Sequence, residues 1–252
     1  MQICYQTNIN NFKKIPGCPL TYWVSSQGFE NFSRMHRLED YCIARIGMVT
    51  GDTARFIRFW QEINFANMGL NIHSVAESIS SHKKWFPIQN GGDYRKWYGN
   101  IDSVVNYEND GFELKNDNYV GTRIRSHNYN GELAFKPGLS WTTISSSRFS
   151  CRISTGGYIY DTAGPFLMSN CRDDDVPILA FLDSSVAQYY LSILNPTLNF
   201  PPGYLLSLPY DKSIVETKDK EIRQLTNENI LLTKKDWDSF EISWDFKKHP
   251  LI

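Results

Sequence analysis

The sequence predicts an α+β protein, with a mixed or antiparallel sheet, a few helices and a helical C-terminal tail. Three observations carry this. Short β-branched and hydroxyl-rich runs such as WTTISSSRFSCRIS (141–154) are set apart by Gly, Asn and Asp turn signals. One long apolar stripe, at positions 178, 179, 182, 186, 189, 190 and 193, recurs at helical spacing. Beyond residue 210 the chain turns charged and helical in character. The organisation expected is a body over 1–210 and a tail or linker over 211–252.

From the N-terminus, FKKIPGCPLTYWVS (12–25), with two prolines and a glycine, reads as a loop entering a short ordered segment. The stretch from 28 to 60 opens at helical spacing and shifts to a strand-like YCIARIGMV. Thr50-Gly51-Asp52 marks a turn, and Asp52 is placed to cap the segment after it. KWFPIQNGGDYRKWYGN (84–100) has neither a 3.6-residue nor a two-residue period, and Pro87 with Gly91-Gly92 argues for a loop. From 101 to 135, YENDG and KNDNYVG punctuate strands. GGYIYDTAG (156–164) reads as the second arm of a hairpin with the run before it. Residues 178–194 form the clearest helix, stopped near Pro196. In the tail, Thr233 is a candidate cap for TKKDWDSFE.

Composition narrows the function. With 252 residues, 41% hydrophobic and 21% charged, the chain is ordinary globular material, and its apolar runs fall short of a membrane span. The first thirty residues lack a charged start followed by an apolar block, so a cytoplasmic protein is expected. Five cysteines at 4, 18, 42, 151 and 171, widely spaced, suit neither a disulfide framework nor a zinc knuckle. The formal net charge is −1, but residues 83–152 hold ten basic groups against seven acidic ones. A polyanion would therefore meet a local patch rather than bulk charge.

Familiar catalytic motifs are missing: no phosphate loop, no GxGxxG, no GxSxG, no HExxH. The histidines have no metal-ligand spacing, and Asp173-Asp174-Asp175 reads as a solvated turn before a magnesium site. What remains are polar, aromatic loops suited to nucleic-acid readout. Arginine grips guanine with two hydrogen bonds, asparagine grips adenine, and hydroxyl groups hold phosphates. The candidates for DNA contact are Lys84, Trp85, Asn90, Arg95, Lys96, Trp97 and Tyr98 in the aromatic stretch, Arg123 and Arg125 in GTRIRSHNYN, and Ser145, Ser146, Ser147 and Arg148 in the hydroxyl cluster. For Trp85, Trp97 and Tyr98 a second account stands beside this one: the rings pack against their own domain and only the cations meet phosphate. A sugar-binding module would use similar aromatics.

FKKIPGCPLTYWVS, GMVTGDTARFIRFWQEI, KWFPIQNGGDYRKWYGN, VVNYENDG, WTTISSSRFSCRIS, LNPTLNF and DWDSFEISWDFKKHPL, in this order, closely resemble the C-terminal half of PglX-type adenine-specific DNA methyltransferases, which belong to BREX phage-exclusion systems. The resemblance runs from Phe12 onward. It implies a target-recognition domain similar to those of Type IIG and TaqI-like restriction-modification enzymes, with double-stranded DNA as partner. It adds Asn195, Thr197 and Asn199 of LNPTLNF as backbone contacts. In that family an Asn-Pro-Pro-Tyr motif and the S-adenosylmethionine site lie in an N-terminal core, and the polypeptide continues into further helices. Here LNPT (194–197) and FPPG (200–203) do not supply the motif. The resemblance thus implies a specificity fragment that holds no cofactor and transfers no methyl group alone, because a flipped adenine needs a pocket beside the cofactor. The expected protein partners are the methyltransferase catalytic domain and other defence-system proteins; docking on the latter is the alternative function.

Overall fold

The computed structural model describes residues 7–117, 124–145, 147–249 and 251. It is an α+β fold, as the sequence predicts, with mixed and antiparallel pairing. After a short α1 (Ile9–Phe12), α2 (Ser26–Arg34) is capped by Ser25, whose hydroxyl accepts from Gly28 N, and it buries Phe29 and Phe32. β1 (Cys42–Arg45) comes next, then a turn at Gly51 with φ +75°. Asp52 caps α3 (Thr53–Phe56) by accepting from Arg55 N, as its position suggested. The helix yields at once to β2 (Ile57–Phe59), so Arg55 and Arg58 do not share a helical face. α4 (Val75–Ser80), β3 (Trp85–Gln89), β4 (Ser103–Asn106) and α5 (Glu108–Lys115) come next. Asn109, Asp110 and Gly111 inside α5 all have positive φ, which is how YENDG turns the chain.

β5 (Gly138–Trp141), β6 (Cys151–Ser154), β7 (Ile159–Tyr160) and β8 (Phe166–Ser169) complete the strands. Among the described residues these form two four-stranded sheets, in the orders β1-β8-β5-β6 and β2-β4-β3-β7. The first is antiparallel throughout, and the second contains one parallel pair, β3 with β7. The helices α6 (Asp175–Leu182), α7 (Ser185–Leu194), α8 (Pro202–Leu206), α9 (Lys212–Thr217) and α10 (Asp219–Trp237) close the chain.

Three core clusters hold this together. Leu139, Trp141, Leu167 and Cys151 of the first sheet pack with Ile178, Leu179, Leu182, Leu191 and Phe29. Phe86, Ile88, Val105, Tyr107 and Phe135 fill the second sheet's core. Between them Tyr98, Ile101, Tyr158, Tyr160, Phe166 and Trp237 form the third. Composition changes at residue 211, but packing continues across it, because Trp237 and Trp244 enter this third cluster. A fully buried aromatic side chain contributes about 1.5–3 kcal/mol, so the tail is held firmly.

Four local expectations are corrected. Residues 85–89 of the aromatic stretch are not loop but β3. Tyr107 N donates to Lys84 O, which sets the ladder's phase and leaves Pro87 at a position bonding away from β4, where its missing N–H costs no bond to that strand. GGYIYDTAG is not a hairpin arm: β7 pairs parallel with β3, while the hairpin is β5 with β6. The 178–194 helix is broken. α6 with its preceding turn and α7 meet at 75°, because the Asp183 carboxylate turns to accept from Cys151 N (2.9 Å) and Ser184 starts a new helix by accepting from Ala187 N. Thr233 caps nothing; it lies inside α10 and donates to Asn229 O at 2.8 Å. No single helix among the described residues is long and apolar enough to cross a membrane.

Candidate nucleic-acid interface

β3 and β5 deliver their following loops to one place. Beyond Trp141, Thr142 donates its hydroxyl to Gly92 O (3.0 Å), and Thr143 donates its N–H to Ala163 O (3.0 Å) and its hydroxyl to Thr162 O (2.6 Å). Ser145 N donates to Leu198 O (3.0 Å), and Phe200 N to Thr143 O (2.6 Å), with Ile144 paired to Asn199 between them. Asp161 N reaches Gln89 O at 3.0 Å. The described residues of loops 90–93, 142–145, 147–148, 161–164 and 195–200 are thus one hydrogen-bonded surface. The sheet core anchors it: the buried Trp141 indole donates to Phe200 O at 2.7 Å, and the Phe149 ring meets Phe200 edge-on at 5.4 Å. Gly164 packs so tightly on the Gln89 carbonyl that a Cβ would overlap it.

The sequence-selected residues in this surface divide into supports and contacts. Ser145 is buried; its hydroxyl donates to Arg148 O (2.7 Å) and accepts from Ser147 N (3.2 Å), so the turn presents Ser147 and Arg148 outward. Arg148 has no side-chain partner among the described residues. Asn195 is also a support: its amide donates to Asn199 O (2.5 Å) and its carbonyl accepts from Thr197 N (3.2 Å) and Thr197 Oγ1 (2.7 Å). Thr197 and Asn199 are exposed on that turn, beside Ile144, which is 73% exposed. Asn90 is half-buried at the rim. Ser146 and Arg123 lie outside the described residues.

The rest of the aromatic stretch works inside the molecule. Lys84 lies 6.0 Å from the Trp85 ring, and Trp85, half-buried, opens β3 opposite Asn106. Arg95 donates to Tyr98 O (3.0 Å) and Thr233 O (3.4 Å), pairs with Asp236, and stacks 5.1 Å over Trp237. Lys96 donates to Asp183 O at 2.5 Å. Trp97, with φ +68°, donates its N–H to Cys151 O and takes one from Ile153 N, both at 2.8 Å, along the free edge of β6. Tyr98 is buried in the third cluster with Lys234 3.3 Å from its hydroxyl. The stretch therefore leaves the second sheet through β3 and binds the edge of the first. For Trp97 and Tyr98 this matches the account in which the rings pack on their own domain; a phosphate contact by Arg95 or Lys96 would have to displace these partners.

Arg125 stands elsewhere, 3.3 Å from Asp52 and 3.5 Å from Asp117, in a network that continues through Arg55 to Asp117 (2.6 Å) and Glu113 (2.7 Å). The hydrogen bond from Arg55 holds the Glu113 carboxyl below its ordinary range. Beneath the loop surface Arg152 is fully buried and donates to Arg95 O (3.3 Å) and Thr142 Oγ1 (3.2 Å); desolvation lowers its pKa to about 10. Desolvation also raises Asp183 to about 7. Burial pushes the Cys42 thiol up to about 12 and raises Cys151 as well, which makes both poor nucleophiles. Among the described residues no group of three or more His, Cys, Asp or Glu converges to hold a metal. Asp174 of the acidic triplet instead pairs with Lys212 at 2.7 Å.

Sequence reasoning missed Thr142 and Thr143, whose hydroxyls close the cluster, and the 161–164 loop altogether. The two threonines stood in the WTTISSSR string beside the residues selected; nothing local marked 161–164.

No family model matches the chain. Over essentially its whole length it is homologous to a segment of adenine-specific methyltransferases. It is 39% identical over 251 residues to the adenine-specific methyltransferase PglX of Lacticaseibacillus casei (strain Zhang), covering 98% of this chain and 20% of that protein. To the adenine-specific methyltransferase BrxX of Escherichia coli O9:H4 (strain HS) it is 32% identical over 254 residues, covering 99% and 19%. The chain spans about a fifth of the length of these relatives.

Proposed function

We propose that this segment is the DNA target-recognition unit of an adenine-specific methyltransferase of a BREX-type phage-exclusion system, acting on duplex DNA in the cytoplasm. The observation that carries the reading is the loop surface itself. Segments distant in sequence converge to present Arg148, Ser147, Thr197, Asn199 and Asn90, with hydroxyl and amide groups for phosphate and base edges and the cation of Arg148 beside them. The kinship with adenine-specific methyltransferases supports a partner that contains adenine, and duplex DNA is the one this reading assigns. In this reading Ser145, Asn195, Arg95, Lys96, Trp97, Tyr98 and Arg152 hold the surface in shape, Lys84 and Trp85 build its strand, and Arg125 braces the α3 and α5 region.

S-adenosylmethionine and the methyl-transfer step belong, on this reading, to parts of the enzyme outside this segment. The one Asn-Pro pair that resembles a catalytic motif, Asn195-Pro196, does not fit that task, because both ends of the Asn195 amide are consumed within its own turn. Fluorescence-anisotropy titration against short duplexes at low and raised salt tests the proposal. Binding that weakens steeply with salt is expected; no binding at low salt overturns it.

A second reading, docking on another protein, is favoured by one observation. An apolar groove lined by Phe181, Tyr190, Tyr210, Val215 and Ile222 lies open beside the exposed Val186 and Ile214. Its marker is a protein partner without DNA affinity.

A further inference from the structure

Next to the loop surface, past Gly91-Gly92, lies a cleft lined by Asn90, Asp93, Asn100, Asp102, Ser103 and Trp237. Its chemistry differs from that of the neighbouring turns. No cation among the described residues lines it, and two carboxylates do, so a phosphate is repelled there. Asn100 donates to Asp93 O at 2.7 Å and Ser103 to Asp102 Oδ1 at 2.9 Å. The side chains of Asn90 and Asp93 have no hydrogen-bond partner among the described residues. Trp237, only 4% exposed, forms part of the wall, and its buried indole N–H has no acceptor among the described residues. The unpaired Asp93 carboxylate and Asn90 amide therefore leave acceptors open to a ligand that brings amino hydrogens, and the carboxylates have no hydrogen to give to a ligand's own acceptors.

Resting on the target-recognition reading above, we infer that this cleft reads the exocyclic amino groups of DNA bases, adenine N6 or cytosine N4, through Asp93, Asp102 and Asn90. An amide pairs with adenine by giving to N7 and taking from N6, and a carboxylate accepts from cytosine N4. Guanine and thymine offer acceptors at the same major-groove edge and meet carboxylate oxygens there. The hydroxyl and arginine turns grip the backbone alongside, while the acidic cleft discriminates.

The test selects the preferred duplex of the full chain from a randomised pool, then compares affinity for that duplex and a scrambled one in wild type, Asp93→Asn, Asp102→Asn and Asn90→Ala. The preference is expected to fall by about tenfold or more in the variants, with binding to the scrambled duplex at least as tight as before in Asp93→Asn and Asp102→Asn, which each remove a negative charge. In wild type it falls equally when purine replaces adenine and 2-pyrimidinone replaces cytosine in the selected site. A preference that survives both the substitutions and the loss of the amino groups overturns the inference, as does wild type that binds duplexes without preference. A wild-type chain that binds no duplex at low salt overturns the recognition reading, and this inference with it. Near-isosteric Asp93→Asn on an exposed loop keeps the fold intact, which its unchanged melting temperature verifies.

Discussion

Arg95 and Arg148 are both arginines in aromatic or hydroxyl-rich strings, yet their surroundings give them opposite tasks. Arg95 ties the 84–100 stretch to α10 through Asp236, Thr233 O and the Trp237 ring. Arg95→Ala is expected to lower stability by about 1 kcal/mol or somewhat more, the scale of a half-exposed ion pair plus a cation–π contact, as read by urea unfolding, and to leave the salt dependence of DNA binding as it was. Arg148→Ala reverses the pattern: unchanged urea unfolding, with the slope of log affinity against log salt reduced by about one.

Asp183 supplies a pH test. Burial raises its folded-state pKa to about 7, well above an unfolded carboxyl near 4. The folded chain therefore binds more protons than the unfolded one between these values, so this group's contribution, full below pH ~4, declines as pH rises toward 7. Asp183→Asn keeps an acceptor for Cys151 N and removes the charge. Its urea midpoint is expected to fall less than that of wild type between pH 5 and 8.

At the scale of elements, the breaks carry the information. Ser184 restarts the chain after α6, and Ser184→Ala is expected to cost about 1 kcal/mol, measured by chemical denaturation, as loss of a helix cap does. Local pattern made several elements legible. Helical spacing of Phe29 and Phe32 marked α2, and Asp52 marked the cap of α3, but of the run 141–154 only its two ends are strand, Trp141 closing β5 and Cys151–Ser154 forming β6, while the β-branched Thr142, Thr143 and Ile144 lie in the loop between them. It failed where long-range contacts decide. The period of 178–194 runs through Asp183 without showing that its carboxylate is drawn to β6. Pro87 argued against a strand because the ladder on either side of it is invisible in sequence, and so is a parallel partner, β7, some seventy residues away. Of the candidate surface, Ser145 to Arg148 were singled out by residue type and Asn195, Thr197 and Asn199 through the resemblance, but the pairing was not legible: that the two turns lie side by side is set by the Ser145–Leu198 and Phe200–Thr143 bonds.

Over the whole molecule, two sheets are fastened by the third cluster and by one segment that belongs to both, β3 in one sheet and Trp97 on the edge of the other. That construction makes the loop surface a rigid unit built on strand ends, and leaves the apolar groove between α6, α7 and α9 on separate elements. The two faces allow DNA reading and protein docking to be told apart directly. The decisive measurement is amide hydrogen exchange of the chain with and without a bound duplex. The account predicts protection in loops 90–93, 142–148 and 195–200, with the groove residues of 177–190 and 209–222 unchanged. Protection confined to the groove, or nowhere, would contradict it.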